Sequence, residues 1–326
     1  MRNHKNSWPW KDLNKLYPKE MNDGNYWPKI SIVTPSYNQG KFIEETIRSV
    51  ICQRYPNLEF IIYEDCSTDD SLNMIKKHEN DIKLIQGNIN KGMSWGINKG
   101  FEASTGDIVT WISSDDIYMP NSFESIAYEW SKNKNAGAYV GNFQFMDENS
   151  VLNPKIYKPY LPKKCPTDLS LFFPDQWRLH QVSTFYERNS LIDVGFHVRE
   201  DLRHNMDRDL IFRIALKTKI VLVDKNLAAF RIHNKSKSWS NRNMIIMAKE
   251  FASIQKLFLT GNKVDDSIRY KIARFRIAKG YVKFAKYSKS LSSKIHGIIF
   301  AIAYRPSLIV DKKFIKTFIK VFFKWK

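Results

Sequence analysis

Cysteine is scarce in this chain. Cys52, Cys66 and Cys165 are the only three in 326 residues, an odd number at spacings that match no metal-binding motif. A disulfide-stapled scaffold is thereby excluded, and free thiols in a reducing compartment are expected. No signal-peptide pattern opens the chain: Met1 to Lys11 is polar, with two tryptophans and no apolar run. Long apolar stretches are missing too. The run from Ile298 to Ala303 is cut by Arg305 and Pro306 and falls well short of the ~20 residues that span a bilayer. There is no internal repeat and no low-complexity tract. Acidic residues are missing where basic ones accumulate. Residues 235–326 hold 22 Lys+Arg against 4 Asp+Glu, whereas residues 1–234 hold 30 against 29. The net charge of +19 therefore belongs to the C-terminal segment, and the rest is electrically balanced.

What is present is a core-forming fraction of 43% hydrophobic residues, arranged in alternating patterns. Ile30 to Val33 reads as a buried strand, and Phe42, Ile43, Thr46, Ile47, Val50 and Ile51 recur at helical spacing. Leu58 to Tyr63 is a second strand. Ser67-Thr-Asp-Asp then carries a capping signal for a helix through about His78. Ile82 to Gln86 reads as a third strand, Gly92 to Glu102 as a helix and Asp107 to Ser113 as a fourth strand. Tyr139 to Phe145 reads as a further strand, Pro154, Pro159, Pro162, Pro166 and Pro174 mark a loop-rich stretch, and a helix around Asp207 to Lys217 and a strand over Ile220 to Asp224 follow. Strands alternating with helices predict an α/β fold with a mostly parallel sheet flanked by helices. The expected organisation is an N-terminal extension over residues 1–28, an α/β domain over 29–235 and a basic helical region over 236–326.

Three strand-end loops carry the polar groups. They are Thr34-Pro-Ser-Tyr-Asn-Gln-Gly40, Glu64-Asp-Cys-Ser67 and Ser113-Ser-Asp-Asp116. In a parallel sheet all three open onto the edge where α/β folds bind ligands. Carboxylates there can hold a divalent cation, and hard oxygen donors suit Mn²⁺ or Mg²⁺. A carboxylate such as Asp65 can accept a hydrogen bond from a nucleobase. Gly92 and Gly100, on either side of Asn98, permit close backbone approach to a ligand.

The ordered set of motifs resembles the family 2 glycosyltransferases, in particular those of bacterial cell-surface polysaccharide biosynthesis. It runs from Trp27-Pro-Lys-Ile-Ser-Ile-Val-Thr-Pro-Ser-Tyr-Asn-Gln-Gly40 through Tyr55-Pro-Asn-Leu-Glu59, Ser67-Thr-Asp69, Asn98-Lys-Gly-Phe101 and Trp111-Ile-Ser-Ser-Asp-Asp116. It continues in Gln181-Val-Ser-Thr-Phe185, Met206-Asp-Arg-Asp-Leu210 and Phe230-Arg-Ile-His233. The resemblance covers roughly residues 25–240. It implies the GT-A fold, inverting transfer of a sugar from a nucleotide donor to a glycan or lipid-linked glycan, and a divalent cation. It places the nucleoside at Pro35, Ser36, Tyr37 and Asp65, and the rest of the donor near Gly92, Asn98, Ser114, Asp115 and Arg231. The metal falls to Asp115, with Asp116 and His233 as helpers, and the general base to Asp207, with Asp209 as its rival. UDP is the nucleotide expected on family grounds, with GDP and dTDP open. Two departures stand out: Ser113 where many relatives carry Asp or Asn, and Glu64-Asp65-Cys66, which leaves open which carboxylate faces the base. A catalytically silent nucleotide-sugar binder is the alternative reading. A nucleotidyltransferase would more naturally carry a Gly-rich phosphate loop, and Thr34 to Gly40 does not read as one.

In the basic segment Lys312, Lys316, Lys320 and Lys324 recur every four residues, with Phe314, Phe318, Val321, Phe322 and Trp325 largely opposite. That pattern predicts a basic amphipathic helix suited to an anionic membrane surface, and so a cytoplasmic protein attached peripherally to the inner face of the membrane. No nucleic-acid recognition motif accompanies the charge.

Overall fold

The computed structural model describes residues 8–11, 13, 15–161, 179–233 and 290–322. Between the last two segments it also describes 246, 247, 250, 251, 253, 254, 274, 277, 278, 280–282, 284–286 and 288. Cys165, Lys324 and Trp325 lie outside the described residues. The chain divides into two compact units, one of residues 1–200 and 210–233 and the other of 201–209 and 234–326.

The first unit is built on one sheet. Strand β1 (Ile30–Ser36) lies between β2 (Leu58–Glu64) and β4 (Ile108–Trp111), and β3 (Lys83–Gln86) flanks β2, all four parallel. Helices α1 (Ile43–Ile51), α2 (Ser71–Lys76) and α3 (Met93–Ala103) make the crossovers. Helix α1 forms because Ile43, Ile47 and Val50 share one buried face. The chain then departs from the all-parallel pattern. After the short β5 (Ile117–Tyr118) and helix α4 (Ser122–Lys132) come β6 (Ala136–Met146) and the exposed β7 (Leu152–Tyr157). β8 (Thr184–Glu187) pairs antiparallel with both β4 and β6, and β9 (Lys219–Arg231) runs parallel to β6 with β5 antiparallel at its side. The order is β3-β2-β1-β4-β8-β6-β9-β5, with β7 on β6. Helices α5 (Arg188–Asp193) and α6 (Met206–Ala215) precede β9.

The N-terminal extension packs on this unit. Trp27 meets Tyr17, Tyr55 and Tyr128 edge-on within 5.0–5.8 Å, and the Trp8 indole donates to the Tyr118 carbonyl at 2.8 Å. Helix α3 lies close on the sheet because Gly100 has no side chain: a Cβ there would stand 2.1 Å from Val33. The expected service of Gly100 to a ligand is thus corrected, since its missing side chain admits β1. The expected helix start at Ser67 also moves, to Ser71. Ser67 Oγ and Asp69 Oδ2 accept tertiary hydrogen bonds from Asn38 N and Gly40 N, Thr68 N donates to Asn38 Oδ1, and Asp69 Oδ1 accepts from Ser71 N at the helix start.

In the second unit, helix α7 (Leu291–Tyr304), a 3₁₀ turn over Pro306–Val310 and helix α8 (Lys312–Phe322) enclose a small core. Ala278, Ala285, Ile298, Ala301, Leu308 and Phe314 are buried in it, and Phe318 packs against it. The face of α8 carrying Phe314 and Phe318 is therefore spent inside the protein, which corrects the expectation that it meets lipid.

Candidate functional site

The order of strands reverses between β1 and β4, because the chain leaves β1 toward β2 and β3 and returns to add β4 on the other side. Such a reversal opens a crevice at the carboxyl ends of the two strands. Ser36 and Tyr37 end β1, and Ser113 to Asp116 follow β4. The strand-end convergence expected from the sequence is realised.

The loop after β1 is fastened to the loop after β2. The Asn38 amide donates to Ser67 Oγ at 3.0 Å, Gln39 N to Ser71 Oγ at 2.8 Å and Gly40 N to Asp69 Oδ2 at 2.9 Å. Asn38 Oδ1 accepts from Thr68 N at 2.8 Å. This leaves Tyr37 exposed beside a buried Ser36, and the buried Ser36 and Thr34 hydroxyls have no hydrogen-bond partner among the described residues. Pro35 lies between them on the buried strand.

Both carboxylates after β2 are buried. Glu64 curls onto its own loop, accepting from Cys66 N and Ser67 N. Asp65 reaches across to the start of α3, where Oδ1 accepts from Lys91 N at 2.9 Å and Oδ2 from Gly92 N at 2.7 Å. Each Asp65 oxygen keeps a further lone pair. Gly92 takes φ +93°, a conformation that L side chains rarely adopt, and a Cβ there would meet nothing within 4 Å. Asn98 is committed to the protein: its amide donates to Val198 O and Glu200 Oε1 and accepts from Val198 N at 2.8 Å. It fixes the 198–200 segment against α3.

The loop after β4 is bound to the end of β9. Asp115 Oδ2 lies 2.9 Å from His233 Nε2, so two of the expected metal ligands are adjacent. The third is turned away. The Asp116 side chain is buried and accepts the Arg231 amide at 2.8 Å. Burial, together with the neighbouring Asp115, pushes its carboxyl well above the usual range. Asp116 is therefore corrected from a ligand to an internal acceptor. Arg231 is also committed. Its guanidinium donates to Asp115 O at 2.6 Å, Ser150 Oγ at 2.8 Å, Asp147 O at 3.3 Å and Glu45 Oε2 at 2.6 Å, and it lies over the Phe42 ring. A direct donor contact from Arg231 is replaced by a positioning role, with the guanidinium holding the loop that carries Asp115. Ser114 is buried in that loop. Glu45 and Ser150 were not singled out in the sequence, and Phe42 was read only as part of a helical apolar pattern. A charged residue inside the α1 pattern was the one available signal.

Asp207 lies in the second unit, in the first turn of α6. Glu250 receives the amides of Arg203, His204 and Asn205 just before that helix. Burial pushes the Asp207 carboxyl above its ordinary value, against the charge of Arg208 and hydrogen bonds from nearby backbone. The Asp207 side chain is partly accessible and Asp209 is buried. Among the described residues no group of three or more His, Cys, Asp or Glu side chains gathers to hold a metal. The Asp115–His233 pair is an oxygen–nitrogen donor set of the kind that would suit a divalent cation.

An uncharacterised glycosyltransferase of Rickettsia prowazekii is 25% identical over 323 residues, covering 94% of this chain and 98% of that protein. TuaG of Bacillus subtilis, named for teichuronic acid biosynthesis, is 31% identical over 138 residues, 41% of this chain and 55% of its own length. Among solved structures, Staphylococcus aureus TarS 1-349 with UDP-GlcNAc superposes with a TM-score of 0.63 at 18% identity, covering 89% of this chain and 81% of that one. A mannosyltransferase of Pyrobaculum calidifontis with GDP-Man and Mn²⁺ gives 0.55 at 16%, covering 96% and 92%. The sequence model described as glycosyl transferase family 2 matches residues 31–195, and with the switch-point crevice and its Asp115–His233 pair this chain belongs to the family 2 glycosyltransferases.

Proposed function

We propose that this enzyme transfers a sugar from a nucleotide donor, a UDP-sugar first among the candidates, to a hydroxyl of a glycan or lipid-linked glycan, with inversion. The observation that carries the reading is the Asp115–His233 contact at the end of β4, beside the crevice next to β1. Pro35, Ser36 and Tyr37 line the nucleoside side, with Tyr37 the exposed side chain among them. Asp65 accepts from the base through its remaining lone pairs while holding Gly92 in place. Asp115 and His233 would hold Mn²⁺ or Mg²⁺, which when bound neutralises charge on the departing diphosphate. Asp207 takes the proton from the acceptor hydroxyl as its oxygen attacks the anomeric carbon, and the nucleoside diphosphate leaves with the electrons of the glycosidic bond. The TarS complex with UDP-GlcNAc, the Mn²⁺ complex of the mannosyltransferase and the naming of TuaG for teichuronic acid biosynthesis support the donor class, the metal and the acceptor class in turn.

Release of free nucleotide diphosphate from a panel of nucleotide sugars, with and without Mn²⁺, tests the reading. Metal-dependent release from one donor is expected, lost in Asp115→Ala. Asp207→Asn is expected to retain donor binding and lose transfer by a factor of about 10² or more. The acid limb of the wild-type rate profile should lie above the ordinary aspartate range, because the base works only when ionised and burial raises its carboxyl. A fully active Asp207→Asn would remove that residue from the mechanism. Tight nucleotide binding without turnover in the presence of a competent acceptor would favour a silent binding subunit.

A further inference from the structure

Helix α7 has an apolar outer face. Its inner side carries Gly297, Ile298 and Ala301 against the small core of the second unit. Leu291, Ile295 and Ile299, spaced four apart, point outward with exposures of 63%, 44% and 57%. Phe300 is also exposed, stacked on His296 at 4.4 Å. The single lysine of the helix, Lys294, is one turn from Ile298 on the inner flank and only partly exposed. The surface continues at the 3₁₀ turn, where Ile309 and Val310 are 60% and 77% exposed. On α8, Ile315 and Ile319 are exposed among the exposed lysines Lys312 and Lys316. Contiguous exposed apolar surface of this kind marks interaction sites.

We propose that the outer face of α7 and the Ile309–Val310 corner lie in the surface of an anionic phospholipid bilayer, with the surrounding lysines on the headgroup phosphates. Charge selects this occupant. Residues 235–326 carry 22 Lys+Arg against 4 Asp+Glu, so a second copy would present the same strong positive charge to itself. An anionic lipid surface offers the opposite sign together with acyl chains for the isoleucines. Attachment is in the plane of the membrane. Among the described residues no helix is long and apolar enough to cross it, and the 14 residues of α7 span about 21 Å against a hydrocarbon thickness of about 30 Å. The membrane seat falls to α7 and the corner, in place of the phenylalanine face of α8 that the sequence pattern suggested. It stands independently of the donor-site reading.

The test is co-sedimentation of the full-length protein with vesicles of phosphatidylcholine alone or with one quarter phosphatidylglycerol. Binding to the anionic vesicles at least about tenfold stronger than to neutral ones is expected. Ile295→Asp with Ile299→Asp should cut that binding by about tenfold or more at unchanged ionic strength, and so should Val310→Asp at a turn where folding is little at risk. Circular dichroism and nucleotide binding report whether each variant is folded. Equal binding by the wild type and the folded Val310→Asp variant would overturn the proposal. So would failure of the wild type to bind anionic vesicles, or a solution mass that shows a dimer abolished by these substitutions.

Discussion

Arg231 is fully buried, and its charge is met by Glu45 on α1, two backbone carbonyls and Ser150. Removing one partner of such a pair strands the other in a low-dielectric setting. Glu45→Ala is expected to cost about 3–5 kcal/mol of stability, measured by urea unfolding. It should also weaken metal-dependent donor binding, because Arg231 holds the carbonyl of Asp115. Glu59 makes a different contribution. Burial raises its carboxyl, but hydrogen bonds from Ser31, Thr105 and Lys29 outweigh that and bring it down to about 2 from 4.5. An acid depressed in the folded state stabilises fully above its unfolded value and loses that contribution as pH falls through the folded one. Glu59→Gln should therefore cost about 1–2 kcal/mol at pH 7, solvent screening included. The gap to the wild type should close between pH 4.5 and about 2. A pH series of unfolding midpoints would show a constant gap if Glu59 acts only through packing.

At the scale of elements, legibility followed length and pattern. β1, β2 and α1 were readable because each repeats its apolar positions often enough to show a period. β5 has two residues and β8 four, too few to display alternation, and β7 is exposed almost throughout. Those three strands went unread for that reason, whereas parts of β6 and β9 were readable over Tyr139 to Phe145 and Ile220 to Asp224. Ser67-Thr-Asp read as a helix cap because the same oxygens that cap a helix also accept amides from a distant loop, here Asn38 and Gly40. Residue types marked the strand ends correctly. They did not reveal which of Asp115 and Asp116 turns inward, since that depends on Arg231, more than a hundred positions away. Gly100 gives a test at this scale. Gly100→Ala puts a methyl 2.1 Å from Val33, so α3 must shift off β1, at about 1–3 kcal/mol. Donor affinity should fall with the melting temperature, since Gly92 caps the start of α3 and is tied to Asp65; a lower melting temperature with unchanged affinity would separate the helix seat from the site.

Taken whole, the molecule joins a balanced sheet unit to a strongly basic helical one, and Asp207 belongs to the second. The sheet also has a history in time. Strands β1 to β4 are complete once residue 111 has been made, yet the neighbour that covers the outer edge of β4 begins at Thr184. At synthesis rates of about 5–20 residues per second, that edge of unpaired backbone stands open for roughly 4–15 s on the ribosome. Arg231 arrives later still, so a half-made chain holds Asp115 without the side chain that anchors its loop. Nascent chains stalled after residue 150, with a linker long enough to clear the exit tunnel, should be cut readily by protease, and chains stalled after residue 233 should resist. The growing polypeptide is thus an unfinished sheet in need of shielding and an enzyme without a competent site until its final strand is delivered.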